Sequence, residues 1–285
     1  MKLSLGTVFF KPTNEDIKSF IKLSLNFTNS ICYLNSEISK NQINSLIKNQ
    51  ICILGSSHND GLSVAYNKIL SRALEIKSEF ILLTDQDSRF QDNILNDFIN
   101  NICLKEKIDP KVAIFSMTPK DNVNVSMEEI LRYRENKFSS KKFSINSGSF
   151  LRVKAWNQIG GYDEKLFIDK VDTDFCQTLV KNKWKILQSE IHQFKHSIGQ
   201  QKRFLLGIIK YNSQNEFRHY HSMLSRIYIL KKYIKNNPSN NLILFLKNLK
   251  FFLQVLKHIM LILLFEEEKI NKLNNIFKPF FYKNF

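Results

Sequence analysis

Five short runs rich in β-branched and aromatic residues, at positions 7–10, 31–34, 50–54, 80–84 and 112–117, alternate with stretches of helical period. That alternation restricts the first part of the chain to an α/β fold with a mostly parallel sheet. The helical patterns cover 14–26 and 62–76, and the second opens at Asn59-Asp60-Gly61, a turn that leaves backbone N–H groups free at a helix start. An anionic ligand can sit there. Positions 119–142 have no clear period and mixed charge, which suggests a long loop or lid over a site. A chain of 285 residues with 43% apolar content is no disordered polymer, and it suits one large domain with a smaller appendage.

After position 198 the pattern changes to long helices without a strand signal, interrupted near 236–239, so the expected domains are 1–200 and 201–285. Residues 200–285 hold 15 Lys/Arg and 4 Glu, or +11 of the chain's +16, leaving +5 for the first 199 residues. Such a segment attracts anionic lipid, nucleic acid or an acidic substrate. No helix-turn-helix, zinc-finger or RNA-recognition signature accompanies it, so no nucleic-acid partner is expected. Within the apolar run 242–265, Lys247, Lys250, Gln254, Lys257 and His258 recur at helical spacing, and Lys257 would cost roughly 2.5–3.5 kcal/mol at bilayer depth. The pattern therefore reads as amphipathic rather than spanning. It suits either a helix lying on an anionic membrane surface or one buried against the first domain or a dimer partner. Cys32, Cys52, Cys103 and Cys176 are dispersed, with no C-x-x-C pair and no leader pattern ahead of Leu3, and read as thiols in a reducing compartment.

Three local features carry chemistry. The apolar run Phe80-Ile81-Leu82-Leu83-Thr84 leads straight into Asp85-Gln86-Asp87-Ser88. At the carboxyl end of a parallel strand, one such carboxylate can take a divalent cation, Mg²⁺ or Mn²⁺, while the other orients a ribose or metal-bound water. The cation would then bridge a diphosphate. A D-x-D alone is weak, since solvated acidic turns are common. The second feature is an acid-rich loop from Gly160 through Asp163, Glu164 and Asp169 to Asp172 and Asp174 at a helix start, where Asp172 or Asp174 could serve as a general base but simple capping, taken alone, explains the acids better. Third, His196 in Lys195-His196-Ser197-Ile198-Gly199 follows two short β-like runs, 184–188 and 190–194. It is either a third metal contact or an ordinary surface histidine.

Taken in order, Asn59-Asp60-Gly61-Leu62-Ser63-Val64-Ala65-Tyr66-Asn67, Leu83-Thr84-Asp85-Gln86-Asp87-Ser88, Asn146-Ser147-Gly148-Ser149, Gly161-Tyr162-Asp163-Glu164, Leu166-Phe167-Ile168-Asp169-Lys170-Val171-Asp172-Thr173-Asp174-Phe175-Cys176 and His196-Ser197-Ile198-Gly199 resemble the family 2 glycosyltransferases, in particular their bacterial rhamnosyltransferase-like branch. The resemblance spans roughly residues 5–235. It implies a GT-A type α/β nucleotide-binding domain followed by a C-terminal helical region. Asp85 and Asp87 become nucleotide and metal carboxylates, His196 a third metal contact, and Asp172 the catalytic base with Asp174 beside it. Asn59, Gly61 and Asn67 would line the nucleotide pocket, and Ser147 and Gly148 would let backbone approach the donor sugar. Trp156 and Tyr162 are either flanks of the acceptor or core.

Two departures stand out. Relatives often hold the nucleobase with Asp-Asn-x-Ser after the second strand, where this chain has Leu34-Asn35-Ser36-Glu37; near the first strand it reads Phe9-Phe10-Lys11-Pro12 in place of Thr-Tyr-Asn-Pro. The implied activity is an inverting transfer, of rhamnose from dTDP-rhamnose or of another hexose or galactofuranose, to a glycan or lipid-linked glycan acceptor of surface polysaccharide. The implied location is the cytoplasm, peripheral on the inner face of the membrane. The reading of another class is a basic membrane- or nucleic-acid-binding protein without catalysis, for which Asp85, Asp87 and Asp172 would have no reason to converge.

Overall fold

The computed structural model of the protein describes residues 1–55, 57–121, 138–196, 201–204, 209–212, 214–236 and 241–281. The chain divides into two compact units, Met1–Glu164 with Val171–Ser197, and Lys165–Lys170 with Ile198–Phe285.

The first unit is built on an eight-stranded sheet. Its strands are β1 (Leu3–Phe9), β2 (Asn29–Leu34), β3 (Cys52–Leu54), β4 (Phe80–Asp85), β5 (Val112–Lys120), β6 (Phe138–Lys141), β7 (Ser149–Arg152) and β8 (Lys185–Lys195), in the spatial order β3-β2-β1-β4-β7-β5-β8-β6. β6 and β7 run against the rest, and the other pairings are parallel. Helices α1 (Asn14–Ser24), α2 (Lys40–Lys48), α3 (Leu62–Glu75), α4 (Asp92–Ile108), α5 (Val153–Gln158) and α6 (Val171–Lys181) connect the strands. β4 lies between two neighbours, and Phe80 to Leu83 have no exposure, which is why it reads as an unbroken apolar run. Phe80, Phe98, Phe115 and Phe150 pack in one core around it. At the start of α1, Thr13 accepts from the Asp16 N–H at 3.2 Å and donates its own N–H to the Asp16 carboxylate at 2.9 Å, which fixes where the helix begins.

Two expectations are corrected here. The runs 184–188 and 190–194 are one strand, β8, whose pairing with β5 slips between Ser116 and Thr118. The irregularity lies opposite Ser189 and His192, whose side chains bond each other at 2.7 Å while His192 Nε2 meets Asp97 at 2.9 Å. A bulge breaks the two-residue period without ending the strand. The span 119–142 is not loop throughout, because β5 continues to Lys120 and β6 occupies Phe138–Lys141; positions 122–137 lie outside the described residues.

The second unit holds a hairpin, β9 (Gln201–Phe204) with β10 (Ile209–Asn212), and helices α7 (Glu216–Asn236), α8 (Asn241–Phe265) and α9 (Lys269–Phe281). The hairpin contradicts the expectation of helices alone. Its first strand, Gln-Lys-Arg-Phe, has no apolar alternation by which a strand announces itself. The helices enclose Met223, Ile227, Val255, Ile262 and Ile276. Beside these lies a buried polar chain: His219 Nδ1 meets His258 Nε2 at 2.7 Å, His219 Nε2 meets Glu266 at 3.3 Å, and Lys272 also holds Glu266.

α8 accordingly has three faces. Val255, His258 and Ile262 point inward. Lys247, Lys250, Gln254 and Lys257 form a polar flank at the surface. Phe245, Leu246, Leu249, Phe252, Leu253, Leu256, Met260, Leu263 and Leu264 are exposed. The sequence groups His258 with the lysines, whereas the fold turns it inward to His219. Among the described residues, one helix, Leu244–Phe265, is long and apolar enough to cross a membrane.

Candidate active site

The carboxyl ends of β1, β2 and β4 point the same way, and the acidic pair falls at that edge. Asp85 is the last residue of β4, opposite Val8 of β1. A turn follows in which the Ser88 N–H donates to the Asp85 carbonyl at 3.1 Å, so Asp87 projects from the turn itself. Gln86 fastens this turn to the end of β1, accepting from the Phe10 N–H at 2.9 Å and donating to the Phe10 carbonyl at 3.2 Å.

His196 reaches the same edge from the far side of the sheet. The backbones of Arg89 and Lys195 exchange two hydrogen bonds of 2.9 Å, and the His196 N–H donates to the Lys120 carbonyl at 3.0 Å. The Arg89 guanidinium braces the turn by donating to the carbonyls of Gln86 at 2.8 Å and Ser88 at 3.1 Å, and to Asp16 at 2.9 Å. Burial pushes the Asp16 carboxyl up, but the hydrogen bonds from Arg89 and Thr13 outweigh it and hold Asp16 below its ordinary value. One atom each from Asp85, Asp87 and His196 lies within 4.8 Å of the others. His196 stands 3.8 Å from Asp85 through Nε2 and 3.9 Å from Asp87 through Nδ1. The two carboxylates are 42% and 53% exposed and the imidazole 13%, so two exposed carboxylates face one largely buried ring.

This donor set suits a hard or borderline divalent cation such as Mg²⁺ or Mn²⁺. Outer partners orient the set: Ser88 Oγ lies 3.0 Å from His196 Nδ1 and 2.7 Å from Ser147 Oγ, and Ser147 Oγ accepts from the Asp85 N–H at 3.1 Å.

Ser147 is buried under the site rather than displayed to a ligand. Gly148 has φ +75°, and a Cβ there would lie 2.4 Å from the Phe194 ring, so packing alone requires glycine. Asn67 differs more sharply from the sequence expectation. Its oxygen accepts from Trp156 Nε1 at 3.0 Å and the Tyr162 N–H at 2.9 Å; its amide donates to the Tyr162 carbonyl at 3.0 Å and Glu164 at 2.9 Å. With two donors and two lone pairs engaged, Asn67 clamps α3 to the Gly161–Glu164 loop and has no bond left for a nucleotide. Trp156 and Tyr162 are core residues.

Asn35, just past the end of β2, and Asn59 form a further hydrogen-bonded group. Asn35 donates to Asn59 Oδ1 at 2.9 Å and accepts from the Asp60 N–H at 2.8 Å, while Tyr33 donates to Asp60 at 2.6 Å. The Gly61 N–H reaches Asn59 Oδ1 at 3.3 Å, and Gly61, at φ +82°, starts α3. The Asn35 of the departed motif thus holds the Asn59-Asp60-Gly61 turn in place.

Asp172 and Asp174 occupy the first turn of α6, with Asp174 buried. Tyr66 feels the charges of both Asp85 and Asp172. Its hydroxyl lies 3.4 Å from Asp85, and burial raises it well above the ordinary phenol value, with the charges of Asp85 and then Asp172 pushing the same way. Tyr162 is also raised by burial and then by Asp172. Asp85 and Asp172 therefore act on one buried phenol. Neither Tyr66 nor Arg89 is marked by spacing, since one reads as a core aromatic of α3 and the other as a surface cation.

No protein-family model matches the sequence. The chain is 26% identical over 238 residues to the dTDP-rhamnosyl transferase RfbF of Shigella flexneri, covering 77% of each protein. The crystal structure of S. aureus TarS 1-349 in complex with UDP-GlcNAc superposes with TM-score 0.53 at 13% identity, over 98% of this chain and 80% of that one. The longer S. aureus TarS structure matches with TM-score 0.49 at 12% identity, over 81% of this chain and 40% of its own length. The site at the strand ends, the likeness to a named sugar transferase and the shared architecture agree: this chain has a GT-A type α/β fold and is similar to the family 2 glycosyltransferases.

Proposed function

We propose that the protein transfers rhamnose from dTDP-rhamnose, with inversion, to a hydroxyl of a glycan or lipid-linked glycan acceptor in surface polysaccharide synthesis. The observation that carries this reading is the convergence of Asp85, Asp87 and His196 at the end of β4, with Asp172 close enough to act on the same phenol as Asp85. A divalent cation, Mg²⁺ or Mn²⁺, held by Asp85, Asp87 and His196 would act as a Lewis acid that stabilises the charge of the leaving diphosphate. Asp172 takes the proton of the acceptor hydroxyl. The hydroxyl oxygen forms a bond to the anomeric carbon as the bond from that carbon to the diphosphate oxygen breaks. The electron pair leaves with the nucleotide, and no covalent enzyme intermediate is needed. The turn fixed by Asn35 and Asn59 presents the start of α3 toward an anionic nucleotide.

The likeness to RfbF supports the choice of donor. The test is nucleotide release from a panel of nucleotide sugars headed by dTDP-rhamnose, with and without Mn²⁺ or Mg²⁺. Metal-dependent release from dTDP-rhamnose alone is the expected result, and release from a UDP-hexose or a galactofuranosyl donor instead would replace the sugar while keeping the reaction.

The exposed apolar face of α8, flanked by Lys247, Lys250 and Lys257, supports docking on the anionic cytoplasmic face of a membrane. The helix lies in the plane, because its third face is packed within the helical unit through Val255, His258 and Ile262 and cannot also meet lipid. Sedimentation with anionic and with zwitterionic vesicles tests this, and equal recovery in the supernatant from both would end it.

A further inference from the structure

The loop Lys165–Lys170 and the first half of α7, both within the helical unit, contain a cluster that the transfer chemistry does not use. Asp169 Oδ1 accepts from the Arg218 guanidinium at 3.5 Å. Asp169 Oδ2, His221 Nδ1 and Arg226 Nε are each buried with no hydrogen-bond partner among the described residues. The His221 ring stacks on Phe167 at 4.3 Å and lies 4.3 Å from Phe217, while Phe167 and Phe217 meet edge to face at 5.5 Å. Burial holds His221 and Arg226 below their ordinary values, against the charge of Asp169.

A buried polar atom left without a partner costs about 1–3 kcal/mol, and three in one cluster are far from ordinary packing. The three atoms differ in what they lack. Asp169 Oδ2 needs a donor, Arg226 Nε needs an acceptor, and His221 Nδ1 takes either role according to its tautomer. A phosphate offers only acceptors here; it would leave Asp169 Oδ2 orphaned and set two negative charges side by side. Hydroxyl groups both donate and accept. A ring bearing several hydroxyls and a C–H face matches the three atoms and the aromatic wall together.

We propose that Asp169, His221 and Arg226 form a subsite for a sugar ring of the acceptor glycan, with the exposed Phe217 packed against the ring's apolar face. The proposal rests on the glycosyltransferase reading, and Asp169 stands three residues ahead of Asp172 in the sequence. The three atoms are sealed from solvent, so the structure represents the closed form of the subsite. The occupant enters by displacing Arg218, half exposed and joined to Asp169 at the outer limit of a hydrogen bond.

Saturation-transfer NMR on the full chain, with dTDP and Mn²⁺ present, tests this using the methyl glycosides of rhamnose, glucose, galactose and N-acetylglucosamine as probes. At least one glycoside should take up saturation, and its signal should fall at least tenfold in Asp169→Asn and in His221→Phe, which keeps an aromatic ring while removing both nitrogens. Calorimetric affinity for dTDP should not change. No glycoside signal from the native chain, undiminished signal in the two variants, or displacement of the glycoside by inorganic phosphate would each overturn the proposal. Arg226→Met serves as the third variant should either of the others fail to fold. Loss of donor turnover by the native chain would instead strike the underlying enzyme reading, and the two failures are separately visible.

Discussion

In the sheet unit the large apolar side chains of β4 have no exposure while Asp85 and Asp87 stand at the surface; in the helical unit nine large apolar side chains among the described residues of α8 are exposed while His219, His258, Glu266 and Lys272 are buried. One unit distributes polarity as a water-facing protein does, and α8 reverses it. Exposed apolar surface on this scale marks an interaction face rather than scatter. The proposed chemistry on a nucleotide diphosphate calls for hydrated carboxylates at an open edge, whereas the proposed hold on lipid calls for the opposite distribution.

The largest expected effect breaks the comparison at its catalytic end. Asp172→Asn keeps the shape but removes the proposed base, so transfer should slow by roughly 10²–10⁴-fold while calorimetric donor affinity stays within a factor of two. Loss of donor binding as well would move Asp172 from base to ligand. Next, Asp87→Ala should lower donor turnover by roughly 10²–10³-fold and abolish the Mn²⁺ response, with an unchanged melting temperature because the side chain is half exposed. Full activity in that variant would sink the metal assignment.

At the other end, Phe252→Ser with Leu256→Ser removes two exposed apolar groups from α8 and should weaken binding to anionic vesicles by roughly a hundredfold without loss of stability. Ile262→Ala, on the buried face of the same helix, should do the reverse: vesicle affinity per folded molecule stays, while stability drops by about 2–5 kcal/mol. If both variants only lowered stability, the outer face of α8 would be a protein interface and the contrast between the units would lose its meaning.

Much of the sheet unit is legible from sequence because buried parallel strands are contiguous apolar runs, as in Phe80–Asp85, and their carboxyl ends are where ligands gather. The pairing of Asp85 and Asp87 with His196 depends on a bridge between Arg89 and Lys195 about a hundred residues apart, which no local pattern encodes. Asn67 sits within a motif, yet its bonds go to Trp156, Tyr162 and Glu164, since a polar residue near a ligand pocket and one that braces the pocket wall look alike in sequence. On α8 the helical period separates lysines from apolar residues correctly. It does not tell which of two apolar arcs is buried, because His258 belongs to the inner one only through its bond to His219.

The smallest effect is also the one that best separates the units. Burial first, then the nearby Arg226 and His219, holds His258 down to about 4, and burial likewise depresses His219 and His221. Each has a folded value below the ordinary histidine value of about 6.5, so between roughly pH 6.5 and 4 the unfolded chain binds more protons than the folded one. Stability therefore falls as pH is lowered through that window. In the sheet unit His192 is the one described histidine with such a shift, lowered by burial against the pull of Asp97. Both tryptophans, Trp156 and Trp184, lie in the sheet unit, so their fluorescence follows that unit, while α7 to α9 contribute heavily to far-ultraviolet circular dichroism. On going from pH 7 to pH 4.5 the dichroism midpoint should drop by several degrees more than the fluorescence midpoint. Coincident shifts would mean that the two units unfold as one cooperative body, and the histidines of the helical unit would then set the acid stability of the catalytic sheet as well.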